Sequence, residues 1–226
     1  MTMKPVLAGL ALLAAAASSQ AVTLLSEGFD NVSTLPASGW VQVNNSTAPA
    51  GTGWFQGNSG IFPAFSGAEN SYAAANFLST GSATGAISNW LILPALTLDS
   101  SSVLSFMVRI GGEGFMDKLE VRFSPNGSST NVGTTSTSVG DFSILLGSYS
   151  GDTANGWENL SFGLWGLSAP TSGRLAFRYV VDNVATAGNY IGIDGVSVTG
   201  AVPEPTTYLL MALGMVGLVL RRRMAA

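Results

Sequence analysis

The side chains able to do chemistry in this 226-residue chain are almost all oxygen-bearing: Asp and Glu number 13, while His and Cys are both absent. Without imidazole or thiol there is no Ser-His-Asp triad, no thiolate nucleophile, no His- or Cys-ligated zinc and no disulfide framework. Carboxylate chemistry and coordination of a hard cation by oxygen stay open. Two acids about 5 to 9 Å apart would support glycan hydrolysis, but separation in space, not in sequence, decides that mechanism.

A second chemically suggestive stretch is VPEPTTYLLMALGMVGLVLRRRMAA, residues 202–226. Pro203 and Pro205 hold the backbone around Glu204 extended and keep a helix from growing backward through it. The run 208–220 carries no charge, yet its 13 residues reach only about 20 Å as a helix. A comfortable membrane span needs about 20 residues. Arg221, Arg222 and Arg223 follow at once, and clustered cations favour the cytoplasmic side. The spacing reads as an accessible recognition site, a short apolar stop and a cationic clamp; a plain tail anchor or a buried C-terminal helix is the alternative.

The other end has its own logic. MTMKPVLAGLALLAAAASSQA, residues 1–21, places Lys4 before an apolar stretch at 6–17 and closes on Ser18, Ser19, Gln20 and Ala21. This is the pattern of a secretory signal, with cleavage expected after Ala21 and export through the Sec translocon. The alternative is a helix that stays attached. Residues 22–202 then hold 12 acidic against 5 basic side chains, a net charge of −7. Such a surface repels phosphate backbones, so nucleic acid is not an expected partner.

Between the ends the chain predicts strands. In DKLEVRFS, Leu119, Val121 and Phe123 alternate with Lys118, Glu120 and Arg122, which predicts one face inward and one in solvent. GRLAFRYVV repeats the pattern with Leu175, Phe177 and Tyr179 against Arg174 and Arg178. VTLLSEGF, GWVQVNN, SYAAANF, NWLILP, VLSFMVR, DFSILLG, WENLSF and YIGIDGVSV are further candidates, separated by Gly, Ser, Asn and Pro clusters such as SPNGSSTNVG. No long helical period interrupts them. The pattern predicts an all-β, antiparallel β-sandwich of jelly-roll type over residues 22–200. It is flanked by a signal helix at 1–21 and a short apolar helix within 201–226. Tryptophans in such a fold pack between sheets or present a flat face to a sugar ring. Trp54 and Trp165, beside glycines, are the candidates for stacking on glycan.

Two resemblances follow from these residues. Val202-Pro203-Glu204-Pro205, the apolar run and the Arg cluster together resemble the PEP-CTERM sorting signal of exopolysaccharide-producing Gram-negative bacteria. That resemblance implies recognition by an exosortase, transient membrane anchoring through the C-terminal segment, and delivery to the cell surface or extracellular matrix, where exopolysaccharide is an expected partner. In the body of the chain, EGFDNVSTLPASGW at 27–40, GTGWFQGN at 51–58, FSGAENSYAAANF at 65–77, ISNWLILPALTLDSSSVLSFMVR at 87–109 and YIGIDGVSVTG at 190–200 resemble the choice-of-anchor J domain. That domain is related to the cleaved-adhesin and MAM-like jelly rolls. It implies a non-enzymatic adhesion module; a carbohydrate-binding module, or a hydrolase using paired carboxylates, is the alternative.

In a jelly roll the first and last strands commonly pair, which would bring Glu27 and Asp30 near Asp194. Three carboxylates repel unless a cation lies between them, and oxygen ligands select Ca²⁺, here as a structural pin. Related domains carry two adjacent acids in the late motif, whereas Asp194 is followed by Gly195. The other reading makes all three ordinary turn and strand-end acids.

Overall fold

Period-two alternation places successive side chains on opposite faces of a strand, and here it builds two stacked sheets. The computed structural model describes residues 21–201 apart from 52, 113 and 152–155; the predicted signal and sorting segments lie outside them. Within the described residues the strands are β1 (Ala21–Glu27), β2 (Val41–Asn44), β3 (Phe55–Gln56), β4 (Ala73–Asn76), β5 (Ile87–Ile92), β6 (Leu96–Leu98), β7 (Val103–Gly111), β8 (Asp117–Ser124), β9 (Ile144–Gly151), β10 (Glu158–Gly163), β11 (Thr171–Val181) and β12 (Tyr190–Ala201). Among the described residues helical structure is confined to short 3₁₀ turns at Val32–Ser38 and Phe77–Ser79. No described helix is long and apolar enough to cross a membrane.

One sheet runs β10-β7-β12-β4-β3 with β1 also paired to β12; the other runs β2-β5-β11-β8-β9 with β6 also on β11. The ladders of β7, β10 and β4 with their neighbours, and of β11 with β5 and β8, are antiparallel. The fold is therefore the all-β sandwich that the strand pattern predicts, and Val22–Gly200 forms one compact unit. Leu104, Phe106, Val108 and Ile110 of β7 face Leu175, Phe177 and Tyr179 of β11 in one core. Phe106 meets Phe177 edge to face with centroids 4.7 Å apart, a geometry that aromatic quadrupoles favour. One predicted strand starts late: β9 begins at Ile144 because Phe142 is buried against Trp90 and Asp141 accepts from Asn126, Ser129 and Asn131.

Strand β12 contains a bulge. Asp194 pairs with Met107 and Ser197 with Ser105, so Gly195 and Val196 together oppose Phe106. Gly195 has φ +56°, the left-handed conformation that a bulge of this type assigns to glycine. The extra residue explains a phase change in the sequence. Ile191 and Ile193 point into the core at odd positions, Val196 and Val198 at even ones.

The outer face of the second sheet departs from simple alternation. Glu120 and Arg178, expected in solvent, are buried, Arg178 at 4% exposure. The segment 125–143 covers them: Val132 and Phe142 pack on Trp90, and Arg178 donates to the Ser136 carbonyl. Its guanidinium also lies 5.0 Å from the Trp90 ring centroid and donates to Glu120 Oε2 at 3.0 Å. Arg122 Nε donates to the same oxygen at 2.7 Å. Burial alone would push the Glu120 carboxyl up, but the bond from Arg122 and the two guanidinium charges win and hold it below its ordinary value. A lowered carboxylate contributes stability that is complete above its unfolded pKa of 4.5 and is lost as pH falls through the lowered folded value. Glu120→Ala strands a buried guanidinium, so urea denaturation at pH 7 should show a loss of about 3–5 kcal/mol, with a shallower decline in acid than the wild-type chain.

Candidate functional site

The bulge in β12 sets the site. By alternation with Ile193, Asp194 points to the outer face of its sheet, yet it is fully buried. The chain at 65–66 lies over it: Phe65 and Ser66 donate their backbone N–H groups to Asp194 Oδ2 at 2.9 and 3.0 Å, and Gly195 N–H reaches Oδ1 at 2.6 Å. Desolvation raises the Asp194 pKa, the three amides oppose the rise, and the nearby charge of Asp30 adds to it. Gly67 fits where a Cβ would stand 3.2 Å from Asp30 Oδ1. The charge of Asp30, which follows the end of β1 at Glu27, is thus felt at Asp194. Glu27 accepts the Phe29 N–H on Oε1 at 2.7 Å. Among the described residues no three His, Cys, Asp or Glu side chains are arranged to hold a metal ion. Two carboxylates alone fall short of the six to eight oxygens that Ca²⁺ takes.

The same loop carries an outer aromatic layer that single-strand patterns do not reveal. Phe62, Tyr72 and Tyr190 are buried together with Ala74; Phe62 stacks on Tyr72 at 5.1 Å, and Trp157 meets Phe62 edge-on at 5.4 Å. Gly192 makes room, since a Cβ there would stand 2.9 Å from the Tyr72 ring and 3.0 Å from that of Phe62. The Arg109 guanidinium lies 4.6 Å from the Phe62 centroid. The signal for this layer is the pair of small residues Ala74 and Gly192, opposite each other in the ladder of β4 and β12, where the sheet must accept rings.

The two tryptophans predicted to stack on glycan separate. Trp54 is 2% exposed and donates its indole N–H to the Asn89 carbonyl at 3.3 Å. A ring so enclosed offers no face to a sugar, and its role is core packing. Trp165 is 81% exposed. Its indole occupies the space above Gly163, where a Cβ would stand 2.4 Å from Cε2.

A cleft of about 280 Å³, lined by Met116, Lys118, Asp182 and Thr186 among others, contains one acid. Asp117, buried at the start of β8, accepts from the Tyr179 hydroxyl at 2.5 Å and from the N–H groups of Asn189 and Tyr190. Burial pushes its pKa up, and its partners tie the start of β8 to β11 and to the start of β12.

This geometry defines the class: a two-sheet antiparallel β-sandwich around an apolar core. The sandwich is structurally similar to cleaved adhesin domains of Lys-gingipain from Porphyromonas gingivalis W83. The K1 domain is 23% identical with a TM-score of 0.56, over 78% of this chain and 97% of that one. The K3 domain from the same strain is 20% identical with a TM-score of 0.51, over 79% and 100%. The K2 domain of Lys-gingipain gives 16% identity and 0.54, over 79% and 99%. Residues 201–223 match the PEP-CTERM protein-sorting motif. No curated protein matches the chain in sequence.

Asp194→Ala should release the chain at 65–66. Hydrogen exchange at the Phe65 and Ser66 amides is expected to accelerate by at least tenfold, the scale of losing a bond to a charged acceptor, while amides in β8 keep their protection. The pH dependence of Asp194 has the opposite sign to that of Glu120. With a raised pKa, its contribution is complete below the unfolded value of 3.8 and declines as pH rises through the folded value.

Proposed function

We propose that the chain is exported and delivered to the cell surface or the extracellular polymer matrix of a Gram-negative bacterium, where its sandwich serves as a non-enzymatic adhesion module. The observation that carries this reading is continuity. Strand β12 ends at Ala201, and the sorting match occupies 201–223. Cleavage by an exosortase near Pro203-Glu204-Pro205 would release a sandwich with all its strands. In this reading residues 1–21 are the signal removed after passage through the Sec translocon, and 208–220 with Arg221, Arg222 and Arg223 form the transient stop in the membrane. The likeness to cleaved adhesin domains supports a surface module, and the single acid in the cleft at Asp182 favours binding over hydrolysis.

The Ca²⁺ pin expected at Glu27, Asp30 and Asp194 stays a proposal, in which backbone carbonyls and water would supply the oxygens that the carboxylates lack. A Tm that rises on adding millimolar Ca²⁺ over EDTA supports it; equal Tm values remove it. Sorting is tested by replacing Pro203, Glu204 and Pro205 together with alanine. The variant is expected to stay unprocessed in the membrane fraction, and normal release of it to the cell exterior would overturn the sorting reading.

A further inference from the structure

The outer face of the first sheet is covered along only part of its length. The aromatic layer of Phe62, Tyr72 and Tyr190 seals one end, and the chain at 65–66 stops over Asp194. From there to the far end of β12 the outward positions follow from the registers. Asn159 stands opposite Met107, Ser161 opposite Ser105, and Gly163 opposite Val103; Ser197 lies across from Ser105 and Thr199 from Val103. This strip carries hydroxyls and an amide but no charge. The hydroxyls of Ser105, Ser161, Ser197 and Thr199 have no hydrogen-bond partner among the described residues, and Asn159 offers only a weak contact at 3.4 Å to the Met107 sulfur. At its two ends stand exposed rings, Trp165 at 81% and Phe65 at 54%. Four residues of strand separate the Met107 and Val103 levels, about 13 Å, enough for more than one sugar ring.

Trp165 is positioned and not simply left over. The absence of a side chain at Gly163 lets the indole lie against β10, an edge strand, so the ring is held while most of its surface stays in water. A large exposed aromatic supported from beneath gives contact area at little entropic cost.

We infer that this strip binds a neutral polysaccharide chain, with Trp165 and Phe65 stacking on sugar faces and the Ser, Thr and Asn side chains hydrogen-bonding to sugar hydroxyls between them. The absence of charge on the strip, within a chain of acidic balance, selects an uncharged glycan over a polyanion. The inference rests on the matrix reading above and names the ligand class and the face that takes it.

The test is affinity electrophoresis of the full chain in mild detergent through gels containing galactomannan, xyloglucan or dextran, with alginate as the polyanion. Retardation by at least one neutral polymer is expected, together with a blue shift of tryptophan fluorescence at saturation, since Trp40, Trp54 and Trp90 are already buried. Trp165→Ala should weaken binding at least tenfold, the scale of an aromatic anchor, and abolish the shift at unchanged Tm. Trp165→Phe should restore part of the affinity. Gly163→Val, which pushes the indole off the strand, should weaken binding as Trp165→Ala does. Absence of retardation in all three neutral polymers, retardation by alginate alone, or equal binding by Trp165→Ala would overturn the inference. Processing of the tail is scored separately in native cells, so loss of binding and loss of sorting are read independently.

Discussion

In β12 the chain meets two demands at once. Ile191 and Ile193 must enter the core, and so must Val196 and Val198, although the two pairs are out of phase by one residue. A regular strand would send one pair into solvent. The left-handed turn at Gly195 absorbs the extra residue and keeps both pairs inside. It also places Asp194, buried and facing outward, beside the Gly195 amide and under those of Phe65 and Ser66. The position of the 65–66 chain, the limit of the aromatic cover and the length of bare sheet beyond it all follow from that arrangement.

Each sheet has its outer face partly closed by a loop, and the two loops solve the resulting polar problem differently. Over the first sheet, a carboxylate is satisfied by backbone amides alone. Over the second, Glu120 is satisfied by two guanidinium groups, and Arg178 finds a hydroxyl, a carbonyl and the Trp90 face. Buried charges persist only when fully partnered. Both covers therefore depend on residues far apart in sequence.

Strand positions were legible because alternation is local: DKLEVRFS forms β8 in full, and the late YIGIDGVSV stretch lies within β12. Faces were less legible. Arg178 and Glu120 looked solvent-facing because the pattern within a strand does not reveal a loop that returns from 125–143 to cover it. Trp54 and Trp165 looked alike, both beside glycines; one glycine context is a strand entering the core, while the other, Gly163, is a seat for the ring. Asp30 acts on Asp194 from the turn that follows β1, not from the ladder itself. The local bond of Glu27 to the Phe29 N–H two residues away was not legible in the strand pattern. The hydroxyl strip was invisible in sequence, since Ser105, Ser161 and Ser197 become neighbours only once the registers are known.

The central claim is that the sandwich works outside the cell after its C-terminal segment has been removed. Its most direct test is the intact mass of the protein recovered from the exterior of native cells, with both termini mapped by peptide sequencing. The account predicts a chain that begins at Val22 and ends close to Pro205. A chain that still carries Arg221, Arg222 and Arg223 would contradict it.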